Sequence, residues 1–307
     1  MKDPATLLNY FQALLKYSNF THAARALYVS QPYLTKVVKQ VEQDLKTPVL
    51  NRDHIPFQLT PAGEMYIQHL EKLQHEQLTF NDQLTRLTSD QAVIRIGIWS
   101  SLGSFLLPKL LPPFLQANSN IKIQLIEGTP RESEARLLSH QIDVYLGQTP
   151  ATLNQQLTIY PNGQENYYLV IPSTSEFFQP NHFILDPTTV DLKQLFQAPL
   201  ILTTSESAIR QQINSLLQAY KIVPNIVLTT NNIITATNLA VHGMGLTVSA
   251  ASILKRLPPT PLNLIPLDAT KVQLKYFLAL NPQATITPEL QALVKQFQAL
   301  DLATQIH

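Results

Sequence analysis

Residues 20–45 read FTHAARALYVSQPYLTKVVKQVEQDL, and residues 51–66 continue NRDHIPFQLTPAGEMY. Thr21 is placed to cap a short helix whose buried side is Ala23, Ala24 and Leu27. The two alanines let a neighbouring helix come close. Tyr28 and Val29 make a turn, Ser30 caps the next helix, and Pro32 sits in its first turn, where a missing N–H costs little. In that helix Leu34, Val37, Val38, Val41 and Leu45 form an apolar stripe. The opposite face carries Gln31, Tyr33, Thr35, Lys36, Lys39 and Gln40. Glutamine can pair with an adenine edge, lysine with guanine or phosphate, and threonine with a thymine methyl or a phosphate. Two helices joined by a tight turn, the second with such a face, are what a major-groove reader requires. A plain three-helix bundle with a polar wet face satisfies the same periodicity.

Upstream, Leu7, Leu8, Phe11, Leu14 and Leu15 lie on one stripe of an amphipathic helix that Asn19 and Phe20 end. The charge around the quoted stretch is locally basic. Arg25, Lys36, Lys39, Lys46 and Arg52 stand against Glu42 and Asp44, on a chain whose net charge is only +1. A basic patch on a near-neutral protein is the footprint of a site-specific nucleic-acid binder rather than of a general coat.

The spacing of Phe20-Thr21, Ala23-Ala24, Leu27, Val29-Ser30-Gln31-Pro32, Leu34, Leu45, Arg52 and Leu59-Thr60-Pro61-Ala62-Gly63 resembles the winged helix-turn-helix of LysR-type transcriptional regulators. The resemblance implies that the helix from Gln31 enters the major groove and that the hairpin from Arg52 to Gln58 is a wing on the adjacent minor groove or backbone. The DNA-binding set it implies is Thr21, Ser30, Gln31, Pro32, Tyr33, Thr35, Lys36, Lys39 and Arg52. Tyr33 stands where the family usually has a small residue. Lys36 replaces the commoner Arg and gives up bidentate geometry.

Beyond Gly63 a helical stretch without Pro or Gly runs to about Ser89. Tyr66, Leu70, Leu73, Gln77, Phe80, Leu84 and Leu87 are spaced 4, 3, 4, 3, 4, 3, a heptad seam that a facing helix would bury. The alternative is an ordinary helix packed on its own domain. Tyr66, Leu70, Leu73, Phe80, Leu84 and Leu87 are expected to dimerise the chain, which sets two reading helices on DNA with dyad symmetry.

From Ala92 the pattern changes to strands alternating with helices. Strands are expected at 93–101, 121–128, 142–148, 166–172, 199–204, 225–230, 246–251 and 272–281, with helices at 106–118, 132–141, 207–220, 233–243 and 288–300. This half resembles the effector-binding region of the same family, which is similar to type 2 periplasmic solute-binding proteins. Ligands in open α/β sheets lie beyond the carboxyl ends of strands, where helix N-termini offer free N–H groups. That rule and the resemblance select Ser100, Ser101, Leu102, Thr129, Thr203 and Thr204 for an effector, expected to be a small anion. Plain helix capping by Ser and Thr is the competing reading, and Trp99 either walls the pocket or fills core.

The expected architecture is therefore an all-α winged helix-turn-helix over 1–61, a dimerising linker helix over 62–90 and a two-lobed α/β effector domain over 91–307. Its lobe I comprises 91–160 and 268–307, and its lobe II 161–267. With no cysteine among 307 residues, disulfides, thiolate metal sites and cysteine nucleophiles are excluded. The eight histidines are scattered, and neither an HExxH, a GxSxG nor a Walker loop occurs. Gly243-Met244-Gly245 follows a helix and precedes a strand, so it reads as a helix C-cap. Glu127, Asp143 and Glu165 are single carboxylates without an evident partner. The expectation is a cytoplasmic regulator, not an enzyme, that needs no cofactor or metal. It binds dyad-symmetric double-stranded DNA, senses a small molecule, stays off the membrane, and self-associates as a dimer and, by resemblance, a tetramer. The runner-up is a cytoplasmic solute-binding protein with an N-terminal extension.

Overall fold

A computed structural model describes residues 3–89, 91–149, 154, 156–284, 286–302 and 306. The chain divides into two compact units, Met1–Gln91 with Ser139–Gln141 and Ala92–Leu138 with Ile142–His307. In the first, α1 (Pro4–Tyr17) is capped by Asp3 and closes on Ser18, left-handed at φ 46°. The next helix, α2 (Phe20–Ala26), starts earlier than expected. Its cap is Asn19, not Thr21: the Asn19 Oδ1 accepts the N–H groups of Thr21 at 2.8 Å and of His22 at 3.1 Å. Asparagine caps at least as well as threonine, so the helix gains its free donors' partner two residues sooner. Tyr28 takes φ 55° in the turn, and Ser30 caps α3 (Gln31–Leu45) through the Tyr33 N–H.

Leu34, Val37, Val38 and Val41 are buried against Leu7, Leu8, Phe11 and Leu14. Leu45, expected in that stripe, is 39% exposed. It is the helix's last residue, one turn beyond Val41, and the core does not reach it. A short antiparallel ribbon, β1 (Leu50–Asn51) and β2 (Gln58–Leu59), follows. Thr60 then donates through Oγ1 to the Pro48 carbonyl at 2.7 Å and accepts from the Gly63 N–H. This fixes the start of α4 (Pro61–Ser89). A Cβ at Gly63 would lie 2.1 Å from the Val49 carbonyl oxygen, a backbone atom that cannot swing aside. Gly63→Ala is therefore expected to destabilise the first unit by about 1–3 kcal/mol through overpacking. A thermal midpoint unchanged from wild type would contradict this close approach.

The second unit runs β3 (Ala92–Ile98), α5 (Ser100–Ala117), β4 (Ile121–Glu127), α6 (Pro130–Leu138), β5 (Val144–Gln148) and β6 (Thr158–Pro172). It continues with α7 (Leu192–Gln197), β7 (Pro199–Thr203), α8 (Ala208–Ala219), β8 (Asn225–Thr230), α9 (Ile233–Val241), β9 (Leu246–Ala250) and α10 (Ala251–Leu254). It ends with β10 (Leu262–Pro266), β11 (Gln273–Leu280) and α11 (Pro288–Gln298). Strand order is β4-β3-β5-β11-β6-β9-β7-β8, with β10 also on β6. The pairs β3/β4, β3/β5, β7/β8 and β7/β9 are parallel, as strand–helix–strand crossovers demand. Two large cores result: one under β3, α5 and α11, the other under β7, α8 and β9.

The expected lobe change at 160/161 falls inside β6, which pairs with β11 through Asn166 and with β9 from Tyr167. Within that strand Gly163, at φ 67°, is the extra residue where the β6–β11 register shifts opposite Lys275/Tyr276, a bulge in an unbroken strand. Helix α5 starts at Ser100, six residues before its expected start, and contains Pro108. Proline has no N–H for the carbonyl four residues back. The carbonyl so released, that of Ser104, receives Nη1 of Arg256 from the other lobe at 3.0 Å.

Candidate nucleic-acid interface and interlobe cleft

Helix α3 presents Gln31, Pro32, Tyr33, Lys36, Lys39 and Gln40 to solvent, with Thr35 half-buried; Thr21, at the start of α2, and Ser30 are exposed beside them. The face is not a set of loose side chains. Gln31 Nε2 donates to Thr35 Oγ1 at 2.9 Å, one turn along, so the amide is held along the helix with its oxygen outward-capable. Gln40 donates to Asp44 at 2.8 Å. Tyr33, expected to project as bulk, stands edge-on to Tyr10 of α1 with centroids 6.4 Å apart and is 42% exposed, so part of its ring belongs to the domain surface.

Arg52 takes a different place from the one its charge suggests. Its guanidinium reaches Glu42 Oε2 at 2.6 Å and lies 5.5 Å from the Phe20 ring centroid. Glu42 also accepts the Val49 N–H at 3.2 Å, and Phe57 packs on Phe20 while its N–H donates to Ser18 Oγ at 2.9 Å. Arg52 thus ties the ribbon to α3 and α2, leaving Arg25, Lys36, Lys39 and Lys46 as exposed cations along this stretch. Two apolar residues that sequence reasoning passed over are the most exposed large ones described in the unit, Tyr28 in the turn at 96% and Ile55 in the ribbon loop at 87%. Neither is in the expected binding set: Tyr28 is read only as part of the turn, and no motif marks Ile55.

The heptad seam of α4 divides in two. Tyr66 stacks edge-on with Phe11 at 6.0 Å and Leu70 is 1% exposed inside the unit's own core. Leu70 thus serves the unit's own core, while Tyr66 is half-buried against it. Leu73 is half-buried, Gln77 is exposed, and Phe80 and Leu84 are exposed at 54% and 42%. The side chain of Leu87 lies outside those described.

In the second unit the carboxyl ends of β3, β7 and β8 open onto a cleft between the lobes. Ser101, Leu102 and Thr203 line a small cavity of about 60 Å³, together with Tyr145, Gln148, Tyr167 and Ser207. None of the side chains lining it is charged. Ser100 and Thr129 line an outer mouth of about 380 Å³ with Glu127, Glu132 and Glu206. Thr204 lines neither compartment, and its buried Oγ1 has no hydrogen-bond partner among the described residues. Several of the expected hydroxyls already have partners. Thr129 and Glu132 cap α6 reciprocally at 2.9 and 3.2 Å, and the Thr203 hydroxyl bonds that of Ser207 at 2.6 Å. Ser207 and Asn232 cap α8 and α9. Helix α5 differs: Trp99 at its cap position supplies no side-chain acceptor, so its first-turn N–H groups from Ser100 to Leu102 stay open to the cleft.

Two carboxylates also have partners that the sequence hid. Asp143 accepts the Arg95 N–H at 2.7 Å. Glu165, 2% exposed on β6, accepts the Ser252 N–H at 2.8 Å and the Tyr276 hydroxyl, joining the two crossing strands to α10. Burial pushes its carboxyl above the usual range, against the pull of those donors. Gly243, at φ 89°, closes α9 as expected, its N–H on the Ala240 carbonyl. Among the described residues no helix is long and apolar enough to cross a membrane.

The model of the bacterial regulatory helix-turn-helix protein, lysR family, matches residues 5–64, and that of the LysR substrate binding domain matches residues 88–301. A probable RuBisCO transcriptional regulator of Trieres chinensis is 25% identical over 296 residues, covering 92% of this chain and 93% of its own. Among solved structures, CbnR, a LysR family transcriptional regulator, matches with a TM-score of 0.61 at 21% identity over 98% of this chain and 100% of its own. Full-length CbnR complexed with its target DNA matches with a TM-score of 0.59 at 22% identity, over 97% and 99%.

Proposed function

This chain belongs to the LysR family, whose members are non-enzymatic DNA-binding transcriptional regulators, and from that premise we propose how its residues divide the work. It is a regulator with a DNA-binding helix-turn-helix and a substrate-binding domain. Within that role α3 reads base edges through Gln31 and Thr35, while Thr21, Ser30, Pro32, Tyr33, Lys36 and Lys39 lie against the backbone beside it. Arg52 positions the wing rather than supplying charge to a phosphate. Two copies join through Leu73, Phe80 and Leu84, so the operator has dyad symmetry, and pairing of sensor domains makes the assembly a tetramer. The regulator works in the cytoplasm.

The observation that carries this reading is a pre-formed α3 face. It is capped by Ser30, is backed by a closed core, and has Lys36 and Lys39 exposed on it. Arg25, Lys36, Lys39 and Lys46 of each copy, all exposed, set the scale of the electrostatic part. For a dimer that engages all of them the slope of log K against log salt should be about −7, since each neutralised phosphate contributes about −0.9. Fluorescence anisotropy on selected DNA across a salt series checks this. A slope near zero would overturn the assignment.

The sensor reading rests on the interlobe cleft. A carboxylate would find donors in the α5 first turn, but the cavity behind it holds no charged side chain, so the part of an effector that enters is uncharged. Bound there, it would shift the population of lobe arrangements by its difference in affinity for them.

A further inference from the structure

Resting on the reading of the cleft as the effector site, we propose that Trp99 is its gate. The inner cavity, at about 60 Å³, has room for two waters and falls well short of the few hundred Å³ that a metabolite site usually offers. The outer mouth, at about 380 Å³, is of that size. Trp99 and Asn231 line both compartments. The indole Nε1 donates to the Asn231 carbonyl at 3.2 Å, a bond from the end of β3 in one lobe to the end of β8 in the other. The partition between mouth and cavity is thus a half-buried ring held by one hydrogen bond, with its body against the lobe I core. A buried or half-buried indole N–H usually keeps such a partner. A ligand that fills the mouth and also reaches Ser101, Gln148 and Tyr167 must displace the indole from Asn231, which lines both compartments with it, and the two lobes lose a tie in the same event. Ligand entry and lobe opening are one step.

The acceptor is a backbone oxygen, so the indole is the half of the tie that substitution can remove. Trp99→Phe keeps an aromatic ring and deletes the N–H. Hydrogen–deuterium exchange of the full-length, ligand-free protein reads the result. Amides at 99–103 and 230–234 should exchange about five-fold faster in the variant, the factor a single net hydrogen bond is worth. Amides of β6 and β11 should be unchanged, which separates loss of the gate from general loosening. Equal exchange in both proteins would overturn the gate.

The second arm adds a protein-free ultrafiltrate of the expression host's cytosol. Protection of the cleft amides at lower dose in the variant supports the gate, and protection of both proteins at equal dose overturns it. Protection of neither overturns the cleft as an effector site while leaving the ligand-free comparison to decide the tie. Trp99 is the only tryptophan in the chain, so its emission in wild type follows the same event without labelling: a shift on adding the ultrafiltrate is expected where protection is seen, and protection with constant emission counts against the gate.

Discussion

Replacing Phe80 and Leu84 together by glutamate should lower operator affinity at least about a hundredfold while the first unit keeps its fold. The two side chains are 54% and 42% exposed on one chain, so the change removes nothing from that chain's own core. Two copies, however, would bring four carboxylates into a seam that must exclude water, where like charges repel and each pays its desolvation. The second recognition helix is then no longer delivered, and a lone module retains roughly the affinity of one half-site. A hundredfold loss corresponds to about 2.7 kcal/mol, modest beside the contact of a whole half-site. Light scattering should report smaller particles, circular dichroism an unchanged helix content, and a gel shift the lost binding. A variant that stays dimeric and binds normally would place the partner contact elsewhere. Leu70 is not an equivalent target despite sharing the heptad, because its burial in the chain's own core makes Leu70→Ala a folding mutation of about 2–5 kcal/mol.

The second large effect is expected at α3, where two substitutions should differ in kind. Lys36→Ala should weaken binding to every sequence about tenfold or more and make the salt slope of a dimer shallower by about 2, one phosphate per copy. Gln31→Ala should cost about 1–3 kcal/mol at one base pair in each half-site and relax the preference there. Both residues are exposed, so neither change opens a cavity, and unfolding free energies should stay within about 0.5 kcal/mol of wild type. If Lys36→Ala altered only one base preference with the salt slope intact, its role would be that of a base reader instead. If neither change moved specific affinity, α3 would not be the reading helix.

Local patterns in the first unit were legible wherever one residue type has one physical use. Ser30 before Gln31-Pro32 marks a capped helix, whereas the close approach of Gly63 to Val49 is a tertiary contact that no local pattern shows. Thr21 misled because Asn19, two residues earlier, is an equally good cap and the helix extends to the first available one. The heptad misled in part because 3.5-residue periodicity says that a face is apolar and not whose core it enters. Tyr66 and Leu70 turn to α1, while Phe80 lies beyond its reach.

In the second unit the strands and helices with plain periodicity were readable, and the connection between lobes was not. The expected boundary at 160/161 falls within one strand, and pairing with β11, more than a hundred residues away, holds Pro161-Asn162-Gly163 extended. The same holds for Arg256 on the Ser104 carbonyl and for Tyr276 on Glu165. A long-range partner leaves no trace in local spacing. At the cleft, the helix-terminus rule counts Thr129 and Thr203 as available hydroxyls, although both are already bonded within their own turns. It also passed over Tyr145, Gln148, Tyr167 and Asn231, which no motif marks.

The most direct test of the central claim, a paired α3 reader on symmetric DNA, is selection of bound sequences from a random duplex pool by the full-length protein. Enriched sequences should carry an inverted repeat whose half-sites are centred about one helical turn, or a whole number of turns, apart. Enrichment of a single asymmetric element, bound by one copy, would contradict the claim.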